Sequence, residues 1–271
     1  MPAVIALDSI PVIELGSTPV IEIDPATALA LAAVALIGGV GITAIGPGGI
    51  LVTAALFALT TATPATVAGT ASATFVATGL LGAVAYLRSG ELSARAGRRD
   101  ALLLSVAGVV GALVGVWLNA RLPTAAFGFL LGAVVSLSGA LVWWRTRREG
   151  DGGDPASHGT VTAIGFGVGV VSGLLGVGGP VLAVPLLVAA GTPMLAAVAV
   201  AQVQSVFIAS GATAGYLAQG SVSPTLALLV GLPELVGALL GWRLAHAVDV
   251  VRLKRALAAV LVALGPYLAV V

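Results

Sequence analysis

The chain has 271 residues, 59% of them apolar and only 8% charged, against about 25% charged for soluble domains. So few charges cannot cover so much apolar residue in water, and the bilayer is the solvent that suits it. A net charge of +1 gives nucleic-acid binding no electrostatic support, and the absence of cysteine excludes disulfides, thiolate chemistry and Cys-based metal sites. His158 and His246 lie far apart, so no metal site or other cofactor is expected.

Residues 1–25 carry Asp8, Glu14, Glu22 and Asp24 with no Lys or Arg, which is not the pattern of a signal peptide. They read as an acidic tail ending at Pro25. Apolar segments follow at about 26–45, 50–59, 65–87, 101–119 and 124–144. The polar stretch 145–159 then divides the chain. Beyond it the plan repeats, at about 160–175, 181–190, 194–217, 225–244 and 253–271. The divisions are therefore a tail (1–25), a first repeat (26–145), a linker (146–159) and a second repeat (160–271). The runs at 50–59 and 181–190 are roughly 15 Å long at 1.5 Å per residue, half of a 30 Å hydrocarbon core.

Each short run follows a glycine-proline break. The first is Gly46-Pro47-Gly48-Gly49, and the second runs from Gly176 through Gly178, Gly179 and Pro180 to Pro185. At a shift of 130 the glycines of the first fall on those of the second, and Tyr86 and Gly90 fall on Tyr216 and Gly220. At a shift of 126, Val110–Gly115 falls on Val236–Gly241. These ordered matches indicate an internal repeat. Every Lys and Arg except Arg121 falls in three clusters, at 88–99, 145–148 and 243–255. The positive-inside rule puts all three in the cytoplasm. The halves then have opposite orientations, and both chain termini lie outside. The expected fold is an all-α polytopic membrane protein of two inverted-topology repeats with broken helices, about 8–10 membrane segments. Trp143 and Trp144 beside Arg145 read as an aromatic belt, and Arg243 and Arg255 as interface anchors.

A helix broken within the bilayer survives only where its backbone faces protein or a polar cavity. The half-helices beginning near Gly48, Gly49, Gly178, Gly179 and Pro180 present free N–H groups and the positive ends of their dipoles, which suit an anion. Close helix packing is the competing use of such glycines. Polar side chains follow each break: Thr70, Ser72, Thr74 and Thr78 in the first half, and Gln202, Gln204, Ser205 and Ser210 in the second. Single hydroxyls in membrane helices commonly bond their own preceding turn. Two glutamines in one apolar helix fit a polar path better. The substrate site is expected among Gly48, Gly49, Thr70, Ser72, Thr74, Gly178, Gly179, Pro180, Gln202, Gln204 and Ser205. Glu234, an acid inside an apolar segment, is expensive there when ionised. It is open to three uses: carrying a coupling proton, pairing with an Arg, or serving as a neutral structural carboxyl.

At these residues the chain resembles the sulfite exporter TauE/SafE family of membrane permeases. The resemblance rests on Gly-x-Gly-Gly-Pro-x-Leu-x-x-Pro at Gly176–Pro185, the stretch Val67–Ser72, Gly-Ala-Leu-Leu-Gly-x-x-Leu at Gly237–Leu244, and Leu253–Leu257. It covers about residues 27–271. It implies an inner-membrane transporter of sulfite, organosulfonates or related small anions, working without ATP, and the chain has no Walker-type loop. The expected partners are a small anion and the lipid bilayer, with a homo-oligomer compatible. The first-half break departs from the pattern, with its proline before the glycine pair and Ala55 in place of Pro185. The alternatives are a permease or channel for another small solute, or a membrane scaffold. An enzyme would need a cluster of nucleophile, base or metal ligands that this chain does not offer.

Overall fold

The computed structural model describes residues 23–89, 95–145, 157–247, 250–268 and 270. The acidic tail up to residue 22, most of the linker (146–156) with Arg147 and Arg148, and the side chains of Trp143, Trp144, Arg145, His246, Arg252, Lys254 and Arg255 lie outside the described residues.

Ten α-helices follow in order: α1 Pro25–Ala44, α2 Ile50–Leu59, α3 Pro64–Ser89, α4 Arg95–Asn119, α5 Thr124–Arg145, α6 His158–Leu175, α7 Pro180–Ala189, α8 Met194–Ala218, α9 Pro224–Ala247 and α10 Val250–Leu268. A 3₁₀ turn at Pro47–Gly49 joins α1 to α2. Among the described residues, seven helices are long and apolar enough to cross a membrane: α1, α3, α4, α5, α6, α8 and α9. The chain is a multi-pass membrane protein. Its outer face agrees, since Leu29, Leu102, Phe129, Leu217 and Leu228 are exposed where a soluble protein would place charge. The half-helices α2 and α7, 10 residues each, are almost wholly buried instead.

Local chemistry sets the ends. Asp24 caps α1 by accepting from the Ala26 and Thr27 amides at 3.0 Å, and Ser157 caps α6 by accepting from Thr160. Pro25 and Pro180 occupy first-turn positions, where a missing N–H costs nothing. The short run expected at 181–190 is α7, and Pro185 lies inside it. The helix therefore continues past a residue that cannot donate to the preceding turn.

The two halves interlock. The most extensive helix pairs are α4 with α6 and α1 with α9, each joining one half to the other. Glycine allows both approaches. A methyl on Gly39 of α1 would sit 2.0 Å from the Glu234 carbonyl oxygen, and one on Gly237 of α9 would sit 2.0 Å from that of Leu36. The counterparts repeat this: a methyl on Gly169 would meet the Gly108 carbonyl at 2.2 Å, and one on Gly111 the Phe166 carbonyl at 2.3 Å. Small residues give close backbone contact where lipid supplies no hydrophobic drive between helices. The corresponding helices α3 and α8 pack against each other in opposite directions: Gly69 faces Tyr216, Gly79 faces Val206 and Gly82 faces Gln202. So do α5 and α10, with Gly128 against Leu268 and Gly139 against Leu261.

Candidate functional site

Both breaks reach one small, partly open cavity with room for about one water molecule. Gly46 and Gly49 line it from the first break, and Val177, Gly178, Pro180 and Val181 from the second. Ile42 of α1, Phe75 and Thr78 of α3, and Ser205 of α8 complete the wall. Phe75 and Ser205 occupy equivalent positions at the shift of 130, so the two halves present an aromatic ring and a hydroxyl from matched sites.

The backbone makes the breaks possible. Gly176 ends α6 in the left-handed region at φ 64°, and Gly178 follows at φ 78°. A side chain there costs roughly 1–2 kcal/mol. On Gly178 a methyl would also press to 3.3 Å from the Phe75 ring, at the cavity wall.

The free backbone groups on the two sides of each break are treated differently. Helix ends leave carbonyls open at the C-terminus and N–H groups open at the N-terminus. Before the breaks, side chains from elsewhere take up the carbonyls. Tyr86 donates to the Thr43 carbonyl and Gln202 Nε2 to the Ile42 carbonyl, at 2.7 and 2.9 Å. In the second half Tyr216 donates to the Gly173 carbonyl and Asn119 Nδ2 to that of Leu174, both at 2.7 Å. Thr53 Oγ1 of α2 donates to the Gly176 carbonyl, tying one half-helix to the opposite break. After the breaks no side chain caps either α2 or α7. The Ile50 amide bonds back to the Gly48 carbonyl of the 3₁₀ turn, and the N-terminal ends of α2 and α7, free of side-chain caps, stand at the cavity with the positive ends of their dipoles.

The candidate residues divide accordingly. Gly49, Gly178, Pro180 and Ser205 line the cavity. Gly179 caps α7 beside Gln204, whose Oε1 lies 3.6 Å from where a methyl on Gly179 would sit. Gln204 is fully buried, and among the described residues neither amide atom has a hydrogen-bond partner. Gly48 instead packs on α1, where a methyl would meet the Gly38 carbonyl at 2.3 Å. Gln202 ties α8 to α1, its Oε1 against Gly82 of α3. Thr70 accepts from the Ser223 amide at 3.0 Å, pinning the start of α9, and Ser72 is buried outside the cavity lining. Thr74 donates to its own helix at Ala71. Ser210 is exposed on the apolar surface and not on a polar path.

Glu234 is wholly buried but does not line the cavity. Thr74 faces it across α3, yet neither carboxyl oxygen completes a hydrogen bond among the described residues. No Arg pairs with it among the described residues, which removes the ion-pair use for that set. Sequence inspection missed Ile42, Gly46, Phe75, Val177 and Val181 as wall residues. Gly46, Val177 and Val181 belong to the two breaks, which is the signal that could have found them, whereas Ile42 and Phe75 lie within apolar helices. Among the described residues no group of His, Asp and Glu is arranged to hold a metal.

Comparison with protein families matches the sulfite exporter TauE/SafE model over residues 30–268. No curated protein and no solved structure matches the chain. A match over nearly the whole chain, running through both breaks and the cavity between them, makes this protein a member of the sulfite exporter TauE/SafE family of membrane transporters.

Proposed function

We propose that this chain is a secondary transporter exporting a small sulfur oxyanion, sulfite or an organosulfonate, by alternating access at the cavity between the two breaks. The observation that carries the reading is at the breaks: side chains from elsewhere bond the Ile42, Thr43, Gly173 and Leu174 carbonyls, and the N-terminal ends of α2 and α7, with no side-chain cap, bring the positive ends of two helix dipoles to one cavity. The antiparallel packing of α3 on α8 and of α5 on α10 supports two inverted halves that exchange access by rocking around that centre. The cation clusters support an inner-membrane orientation with both termini outside the cytoplasm.

An interior-negative potential favours efflux of one negative charge by roughly 2.3 kcal/mol per 100 mV. Export therefore needs no ATP. The test is the purified protein in liposomes loaded with sulfite, ethanesulfonate or methanesulfonate under an imposed potassium-diffusion potential. Potential-dependent anion efflux is expected. Absence of flux for every anion in the panel, with a cation or neutral solute moving instead, overturns the reading.

A further inference from the structure

We infer that the cavity admits a singly charged oxyanion and rejects a doubly charged one, with Gln204 as the side chain that selects it. This rests on the anion reading above and narrows it to a charge class.

The charge count at the site is short. Helices α1, α2, α7 and α8 contain no Asp, Glu, Lys, Arg or His, and the only such residue in α3 is Arg88. Arg88 stands 10 positions beyond Thr78, roughly 15 Å along the helix. No cation therefore faces a bound ion from these elements. What remains is two half-helix N-termini, each equivalent to roughly half a positive charge, so together they match about one negative charge. A dianion would keep about one charge uncompensated in a poorly solvating interior. Since the cost of removing an ion from water grows with the square of its charge, a dianion also pays about four times the desolvation of a monoanion. The nearest buried carboxyl is Glu234, facing Thr74 one helical turn from Thr78, and it adds no positive charge.

Gln204 supplies what the neutral site requires. It stands behind the lining, next to Ser205; its amide is fully buried and unpartnered among the described residues, with Oε1 beside the Gly179 N-cap of α7. An unmade hydrogen bond on a buried amide is costly, so a ligand oxygen that accepts from Nε2 gains the relief of that penalty. Ser205, its neighbour in sequence, and Thr78 carry hydroxyls on the cavity wall. Phe75, one turn before Thr78 on α3, shares the wall with Ile42, Val177 and Val181. An uncharged wall of mixed hydroxyl and apolar groups fits a sulfonate or hydrogensulfite, whose charge is single, better than sulfate or fully ionised sulfite.

The test compares three probes in liposomes containing the intact protein: methanesulfonate, a monoanion throughout; sulfate, a dianion throughout; and sulfite, which gains a proton as pH falls. Methanesulfonate flux is expected to stay level between pH 8 and 6, sulfite flux to rise over the same range, and sulfate flux to be at least about tenfold slower. Sulfate moving as fast as methanesulfonate overturns the charge selection and leaves anion transport standing. No flux of any probe overturns both. Gln204→Leu is expected to raise the half-saturating methanesulfonate concentration about tenfold, with Gln204→Asn partly restoring it. Both variants are checked for an unchanged unfolding midpoint. Parent-like half-saturation in a folded Gln204→Leu protein removes Gln204 from the site. If that variant does not fold, the probe comparison on the parent still decides the charge selection, and Gln204→Asn decides the residue.

Discussion

Tyr216 donates its hydroxyl proton to the Gly173 carbonyl at 2.7 Å, and in the other half Tyr86 makes the same bond to Thr43, with the same separation of 43 residues. Each ring closes the last turn of the helix that precedes a break, so the two bonds hold matched carbonyls away from the cavity. The duplication of a long-range polar contact is stronger testimony to an internal repeat than alignment of apolar residues, because it requires the donor, the acceptor and the path between them to recur together.

Replacing either tyrosine by phenylalanine keeps the packing and removes one donor, leaving a buried carbonyl unpaired. The expected loss is about 1–3 kcal/mol for each, read as a lower unfolding midpoint in detergent. Tyr86→Phe and Tyr216→Phe should differ little from each other, and the double variant should lose close to the sum, since the sites are far apart in the fold. An unchanged midpoint in both single variants would show the bonds to be incidental.

The glycine contacts make a sharper contrast. Gly39→Ala places a methyl 2.0 Å from the Glu234 carbonyl oxygen, and the α1–α9 crossing cannot form without separating the backbones. Gly167 of α6 has nothing within 4 Å of the same added methyl. Gly167→Ala is expected to leave the protein as stable or to gain up to about 1 kcal/mol from helix propensity, while Gly39→Ala sharply lowers folded yield. Size-exclusion profiles and unfolding midpoints compare the two directly.

Much of the architecture was legible because glycine and proline punctuate an otherwise uniform chain. The run Ile50–Leu59 is bounded by Gly48-Gly49 and by Pro64 shortly beyond, and it is the helix found. The run 181–190 likewise is α7, whose backbone carries Pro185 internally. The site was only partly legible. Gly49, Gly178, Pro180 and Ser205 follow from the breaks and the repeat, but Phe75 is an aromatic in an apolar helix until the facing helices are known. Thr70 and Gln202 were indistinguishable in sequence from ligand-facing groups. The structure shows what uses their polarity, the Ser223 amide and the Ile42 carbonyl, and these partners lie 153 and 160 positions away. Ser210 shares the helix with Gln204 but not its face, and periodicity in a helix apolar on every side does not reveal that.

At the edge of the membrane domain, Asp24 offers a pH test. Hydrogen bonding from Thr27, through its side chain first and its amide second, holds the Asp24 carboxyl below its ordinary range. A carboxyl whose folded pKa is depressed adds stability above its unfolded pKa, about 3.9, and that contribution is lost as pH falls through the lower folded value. Asp24→Ala should therefore lower the unfolding midpoint at neutral pH and cease to matter in strong acid. A difference that persists unchanged at acid pH would count against the cap.

Glu234 separates packing from coupling. An unpaired carboxylate inside the hydrocarbon region costs several kcal/mol, and neither oxygen is bonded among the described residues. The group is held by shape, with Thr74 facing it and the Gly39 approach fixing its backbone. Glutamine has nearly the same shape and no charge to lose, so Glu234→Gln is expected to fold with an unchanged or higher unfolding midpoint. In liposomes it should keep anion efflux driven by an imposed potential. If the carboxyl exchanges a proton during the transport cycle, the variant also loses the response of flux to a pH gradient that the parent shows at zero potential. A variant matching the parent under both driving forces makes Glu234 a structural carboxyl. One that loses flux under both, while folding normally, makes it part of the path itself.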